Sequence, residues 1–203
     1  KMVSVGTHPN IKMLTWSEVV RVDGYVGNFT VTIRKKARHV IEELCTGCGI
    51  CQEKCPKKVI DDVYEAGLGY RKAIYTPFPQ AVPKYPVLDR PNCTYFQKGT
   101  CKACEKFCPT GAIDFNQQDE YLTVQVGNCI LATGYDLFDP RRIANYGYGR
   151  LANVFTSLEF ERLSNAAGPT NGNIVLRDGV TTPKSVGIVH CVGSRDRNYN
   201  NYC

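Results

Sequence analysis

Apolar and polar residues alternate strictly in two separated stretches, Phe29-Thr-Val-Thr-Ile-Arg34 and Tyr121-Leu-Thr-Val-Gln-Val126. A period of two marks a strand with one half-buried face. Shorter β-prone runs, Ile11-Lys-Met-Leu14 and Val19-Val-Arg-Val22, come before the first, and Asp23-Gly24 and Gly27-Asn28 mark a turn. The two alternating strands are expected to pair. Residues 37–118 then form an insertion at the tip of a hairpin, with its two ends close together. Two continuous apolar runs, Cys129-Ile-Leu-Ala132 and Ser185-Val-Gly-Ile-Val-His190, read as buried strands, with Cys129 in the core. Thr156-Ser-Leu-Glu159 is a capping box that opens a helix to about Ala166, and Gly168-Pro169 stops it. Inside the insertion, Pro77, Pro79, Pro83, Pro86 and Pro91 stiffen an extended connection. Its aromatics Tyr70, Tyr75, Phe78 and Tyr85 are expected to shield whatever the insertion holds.

The cysteines say what that is. Cys45-Thr-Gly-Cys48-Gly-Ile-Cys51-Gln-Glu-Lys-Cys55-Pro56 reads C-x2-C-x2-C-x3-C-P. This is the bacterial-type run in which three thiolates hold one [4Fe–4S] cluster and the fourth reaches a second. A second group, Cys93-x7-Cys101-x2-Cys104-x3-Cys108-Pro109, repeats it. Cys48 through Asp61 aligns without a gap on Cys101 through Asp114, an internal repeat. Only the first cysteine is displaced: Lys98 stands opposite Cys45, and Cys93, five residues earlier, is read as reaching the same corner. Crossing the fourth ligands gives Cys45, Cys48, Cys51 and Cys108 to cluster one, and Cys93, Cys101, Cys104 and Cys55 to cluster two. Gly47 and Gly49 leave amide N–H groups free to approach sulfur. Structural zinc prefers two widely spaced C-x2-C pairs, and a disulfide framework needs an oxidising compartment, so both fit the spacing less well.

Composition supports this reading. A 203-residue chain with 43% hydrophobic residues can bury a core in one or two domains. No apolar run reaches the length of a membrane span. The start, Lys1-Met-Val-Ser, lacks a signal-peptide apolar region, and 11 cysteines without one point to metal in a reducing cytoplasm. The formal charge of +6 suggests nucleic acid until cluster thiolates are counted. Two oxidised cubanes remove about 4 charges and leave about +2. The basic run Arg34, Lys35, Lys36 and Arg38 reads first as a solvated face and second as a dock for an acidic partner. His8 reads as a loop residue, and Trp16 as core or rim. Gly147-Tyr-Gly149-Arg-Leu-Ala152 resembles a dinucleotide motif but follows no strand.

Several further segments carry a family resemblance: His8-Pro-Asn-Ile11, Ser17-Glu-Val19 with Gly24-Tyr-Val-Gly-Asn-Phe29, Ile130-Leu-Ala-Thr-Gly-Tyr-Asp136 with Phe138-Asp-Pro140, Ser157-Leu-Glu-Phe-Glu-Arg-Leu163, Gly168-Pro169, and Cys191-Val-Gly-Ser-Arg-Asp196 followed by Tyr202-Cys203. With the cysteine run, they resemble the heterodisulfide reductase A-subunit family over essentially the whole chain. The resemblance implies an α/β flavoprotein fragment, thioredoxin-reductase-like, with an inserted α+β dicluster bacterial-type ferredoxin domain. Residues 1–36 and 119–168 then belong to an FAD-binding domain, 37–118 to the ferredoxin insertion, and 169–203 to the start of a next nucleotide-domain-like lobe.

Ala132-Thr133-Gly134 resembles a flavoprotein strand end against FAD, and Cys191 and Cys203 resemble the first ligands of a further, irregular [4Fe–4S] site. From the residues alone, Cys191 reads as a small buried apolar side chain. The family implies electron transfer between FAD and the clusters, flavin-based bifurcation, and a place in methanogenesis. Implied partners are the other components of such a complex and a ferredoxin, hydrogenase or dehydrogenase. The cofactors carry the chemistry, so no catalytic side chain is expected. The chain reads as a fragment truncated at both ends, without the glycine fingerprint for the FAD pyrophosphate, and so not active alone. The alternatives are a non-catalytic dicluster ferredoxin-like electron-transfer module and, further off, a zinc domain on nucleic acid.

Overall fold

The computed structural model describes residues 1–202. The strands are β1 (Ser17–Tyr25), β2 (Asn28–Lys35), β3 (Lys58–Ile60), β4 (Tyr70–Lys72), β5 (Ile74–Tyr75), β6 (Val87–Leu88) and β7 (Glu120–Val126). The α-helices are α1 (Met2–Gly6), α2 (Ile50–Lys54), α3 (Thr94–Lys98), α4 (Ala103–Lys106) and α5 (Ser157–Ser164). The chain divides into two compact units. One comprises Lys1–Val59 and Arg71–Leu131, the other Ile60–Tyr70 and the residues from Ala132 onward.

In the first unit β1, β2 and β7 form one antiparallel sheet in that order. β2 and β7 are the two alternating stretches, paired without a slip from Phe29 opposite Val126 to Lys35 opposite Glu120. Gly24 allows the β1–β2 turn: its φ is 106°, and a Cβ there would lie 2.2 Å from the Asn28 carbonyl oxygen. At the far end of the sheet the Ala37 N–H donates to Asp119 Oδ1 at 2.8 Å, so the chain between β2 and β7 leaves and returns at adjacent points. The basic run is not a free face. Lys35 pairs with Glu42, and Arg34 and Lys36 share Glu18. Arg38 is buried.

Between these ends the chain packs a core of Val40, Ala73, Ile74, Leu88, Ala112 and Ile113, into which Cys51, Cys55, Cys93 and Cys104 are also packed. Val40 bridges Ile113 in antiparallel fashion, which joins the start of this segment to its end. Tyr95 and Phe115 stack beside this core with ring centroids 4.1 Å apart. His39 has a left-handed backbone (φ 58°) and lies 4.8 Å from the Phe96 ring.

In the second unit the capping box of α5 is complete. Thr156 Oγ1 accepts from the Glu159 N–H at 3.1 Å, and Glu159 Oε2 accepts from the Thr156 N–H at 2.6 Å. The buried Glu159 also accepts from Arg177 Nη2 at 2.6 Å. The helix ends at Ser164, slightly short of Ala166. Gly168 must be glycine for the return of the chain, because a Cβ there would lie 1.9 Å from the Arg162 carbonyl oxygen.

Three expected strands are missing. Ile11–Leu14 is irregular. Cys129–Ala132 is not a strand, and Ile130 and Leu131 are 93% and 87% exposed, so Cys129 is a surface residue and not core. Ser185–His190 likewise forms no strand, and its Ile188 is exposed. A continuous apolar run is the pattern of a strand covered on both faces. Among the described residues neither run finds a neighbouring strand. Gly147–Ala152 follows the 3-10 turn Ala144–Tyr146 and no strand, so the dinucleotide context is absent there.

Candidate metal centre

Two cavities in the first unit are lined by cysteine. The first encloses about 340 Å³ of space free of protein atoms, its open mouth included, and Cys45, Cys48, Cys51 and Cys108 face it with Val40 and Pro86. The second encloses about 310 Å³ on the same measure, and Cys55, Cys93, Cys101 and Cys104 face it with Lys57 and Leu88. Each cavity thus takes three cysteines from one loop and one from the other.

Local geometry explains the exchange. Gly49, at φ 81°, starts α2, which places Cys51 on the first turn, and the helix ends at Cys55, whose backbone is extended. The chain changes direction between the two residues, so their side chains reach different cavities. The repeat does the same through Cys104 on α4 and Cys108 beyond it. Gly47 (φ 68°) lets the first loop pass close to the Lys84 backbone: a Cβ there would stand 3.1 Å from the Lys84 carbonyl oxygen.

The electrostatics of the thiols follow their placement. Burial pushes Cys51 up to about 11, with a further push from Cys45, Cys48 and Cys108. Burial pushes Cys104 up to about 12, reinforced by Cys93, Cys55 and Cys51. Burial also works against the Cys108 thiolate, but hydrogen bonds from the Ala112 N–H at 3.3 Å and from Thr110 outweigh it and hold that thiol low. A buried thiolate among other thiolates is unfavourable unless a cation neutralises the group. Each cavity is therefore a site whose ionised form calls for positive charge at its centre. Among the described residues, no group of three or more His, Cys, Asp or Glu side chains is arranged to hold a single metal ion. The thiols border spaces larger than one ion.

The remaining candidate residues are placed differently. Ala132, Thr133 and Gly134 are exposed and end no strand, and a Cβ on Gly134 would have nothing within 4 Å. They form no cradle for a cofactor among the described residues. Cys191 is exposed, not buried, in a turn closed by the Ser194 N–H on its carbonyl at 2.8 Å. Cys203 lies outside the described residues. Of the four aromatics expected to shield the insertion, Tyr75, Phe78 and Tyr85 are partly buried and Tyr70 is not. Tyr70 is 72% exposed, and aliphatic residues and Pro86 wall the cavities.

Three residues near the cavities are not marked by spacing. Lys72 donates from Nζ to the Cys55 carbonyl at 2.6 Å. Arg38 and His39 are buried beside Val40. Lys72 has no motif around it. The only signal for Arg38 and His39 is their place at the first step of the insertion.

Residues 38–61, which carry Cys45, Cys48, Cys51 and Cys55, match the family described as the 4Fe-4S binding domain. Fold and site thus define an iron–sulfur protein with a ferredoxin-like 4Fe-4S domain. Over its whole length the chain is homologous to the A subunits of CoB–CoM heterodisulfide reductase, an oxidoreductase. It is 47% identical over 204 residues to the A subunit of the H(2):CoB-CoM heterodisulfide,ferredoxin reductase from Methanothermobacter thermautotrophicus, with 100% of this chain and 30% of that protein covered. It is 52% identical over 204 residues to the second of the CoB–CoM heterodisulfide reductase iron-sulfur A subunits of Methanopyrus kandleri, with the same coverage. A third relative is the A subunit of the ferredoxin/F(420)H(2)-dependent CoB-CoM heterodisulfide reductase from Methanosarcina acetivorans, 40% identical over 205 residues, with 100% of this chain and 25% of that protein covered. The chain therefore spans about a third or less of the length of these relatives. Among the described residues, no helix is long and apolar enough to cross a membrane.

Proposed function

We propose that this chain is the electron-relay part of a heterodisulfide-reductase-type complex and binds two [4Fe–4S] clusters, one in each cysteine-lined cavity. The observation that carries the proposal is the exchange of fourth cysteines. Cys108 faces the cavity of Cys45, Cys48 and Cys51, and Cys55 faces that of Cys93, Cys101 and Cys104. Such clusters supply one-electron storage at potentials set by charge, hydrogen bonds to sulfur and solvent access. The side chains around them do the tuning. The Ala112 N–H donates to Cys108 Sγ, and Val40, Pro86, Leu88 and Ile74 limit water.

The wider role rests on the family resemblance of the sequence. In the full protein the clusters exchange electrons with FAD, in flavin-based bifurcation, alongside the other components of the complex and a ferredoxin, hydrogenase or dehydrogenase partner, in the cytoplasm. Residues 37–118 are the ferredoxin insertion, 1–36 and 119–168 belong to the FAD-binding domain, and the lobe from 169 onward carries Cys191 and Cys203 toward a further cluster. The exposed Ala132–Gly134 segment does not by itself fit FAD, so no step is assigned to it. Relay without any flavin is the second reading, and the isolated position of these three residues favours it.

Iron and acid-labile sulfide, measured without oxygen, test the core of the proposal. Eight of each for the two cavities are expected, and Cys108→Ala should remove the signal of the first cluster and keep the second. Loss of the second alone, or zinc without sulfide, contradicts it. Flavin bands that stay absent from the full-length protein contradict the FAD part only.

A further inference from the structure

The two halves of the repeat are not equivalent in charge. Cys55-Pro56-Lys57 matches Cys108-Pro109-Thr110, so an ammonium stands in one half where a hydroxyl stands in the other. Lys57 is among the residues that line the second cavity, and no lysine or arginine is among those that line the first. Thr110 spends its hydroxyl on Cys108, with the two side-chain atoms 3.7 Å apart. The Lys57 carbonyl accepts from the Ala73 N–H at 3.2 Å, and this contact brings the end of β4 alongside the ligand loop. Lys72, the last residue of β4, is half-buried there and donates to the Cys55 carbonyl at 2.6 Å. Its neighbour Arg71 is neutralised by Asp89 at 2.7 Å. Lys72 bonds to an uncharged carbonyl instead, which leaves its charge intact next to the ligand residue.

Reduction adds one negative charge to a cluster, so a fixed ammonium nearby favours the reduced form. A half-buried charge is screened less by salt than an exposed one. We propose that Lys72, supported by Lys57, holds the cluster of Cys55, Cys93, Cys101 and Cys104 at the higher potential of the pair. It is the positioning residue that fixes which cluster keeps the electron. This rests on the two-cluster reading above.

The test is a redox titration of the cluster-loaded protein, followed by electron paramagnetic resonance, in wild type, Lys72→Met and Lys72→Arg. Cys108→Ala protein supplies the assignment of each signal. Lys72→Met should lower the equilibrium constant for reducing the second cluster about tenfold, about 59 mV for one electron. It should leave the first cluster unmoved, and Lys72→Arg should restore the wild-type value. Unchanged potentials, equal shifts at both clusters, or no rescue by arginine would overturn the proposal, because a packing role follows the shape of the side chain and not its charge. Should Lys72→Met lose iron, Lys57→Met gives the second arm, with a smaller shift of the same sign expected and no shift counting against the proposal. Wild-type protein that binds no second cluster refutes the two-cluster reading instead.

Discussion

Replacing Arg38 by methionine should weaken the first cavity selectively. The guanidinium makes three contacts: Nε to Glu42 Oε1 at 3.2 Å, Nη1 to the Tyr85 carbonyl at 3.2 Å and Nη2 to Thr15 Oγ1 at 2.7 Å. The side chain is only 5% exposed, and Glu42 keeps 23% of its own surface in water. Methionine keeps the apolar stem and removes every donor. The cost is then that of leaving a carbonyl and a hydroxyl without their partner and a carboxylate with Lys35 alone at 3.6 Å. Breaking one side of a buried pair costs about 3–5 kcal/mol. Water and Lys35 still reach Glu42, so the lower end is the ceiling, about 3 kcal/mol, roughly a hundredfold in an equilibrium constant.

The location decides the readout. The Arg38 carbonyl accepts from the Leu88 N–H at 3.1 Å, and the side chain holds the Tyr85 carbonyl, so this one residue fixes both ends of the segment that carries Pro86. Pro86 and Val40 wall the first cavity. Iron release to a chelator at rising urea, followed separately for the two clusters, should therefore speed up first and most for the cluster of Cys45, Cys48, Cys51 and Cys108 in Arg38→Met. Arg38→Lys, which keeps the charge without the planar fork, should fall between. A variant that loses under about 0.5 kcal/mol, the range of an ordinary surface change, or that releases both clusters equally fast, would refute the argument that Arg38 is a buried brace.

Two smaller predictions concern other parts of the chain. Burial, the largest influence, holds the His39 imidazolium below its usual range, with Arg90 adding to the effect. The folded protein thus binds this proton less readily than the unfolded chain, and its stability is full above the unfolded value near 6.5 and falls as pH drops through the folded value. The thermal midpoint of wild type should be lower at pH 5 than at pH 7. Much of that difference should vanish in His39→Asn, since asparagine tolerates the left-handed backbone. In the second unit, Thr156→Ala removes the side-chain acceptor for the Glu159 N–H. It should cost about 1 kcal/mol in urea unfolding, and serine at this position should restore most of it.

How far the sequence can be read depends on how local the cause is. The exchange of fourth cysteines is written in a spacing of three residues, because a short helix and an extended step are enough to turn Cys51 and Cys55 toward different cavities. The β2–β7 pairing is legible because two period-two patterns can put both apolar faces on the same side only when apolar stands opposite apolar, as Phe29, Val31 and Ile33 stand opposite Val126, Val124 and Leu122. The Thr156–Glu159 capping box is a four-residue signal and needs nothing else. Charge misleads for the opposite reason. Arg34, Lys35 and Lys36 look like a solvated run until Glu18 and Glu42 arrive from other segments. Arg38 is buried only because Thr15 and Tyr85 close over it. Lys72 reaches Cys55 across a segment that spacing rules do not cover. The apolar runs at 129–132 and 185–190 mislead because hydrophobicity marks a strand as buried without supplying the neighbour that buries it.

The exchange has a structural consequence beyond ligand assignment. Neither cavity can be built from one loop, since each takes its fourth cysteine from the other. The loops must therefore be brought together before either site is complete. Two contacts do this without metal: Val40 against Ile113, and the Ala37 N–H on Asp119 Oδ1, both at the neck of the insertion. Closing the neck shortens the open chain between the two cysteine groups and lowers the entropy cost of their meeting. The sheet is thus more than a support for the insertion. Its β2–β7 register sets how the two necks meet, and a slip of one residue there would turn the inward side chains outward.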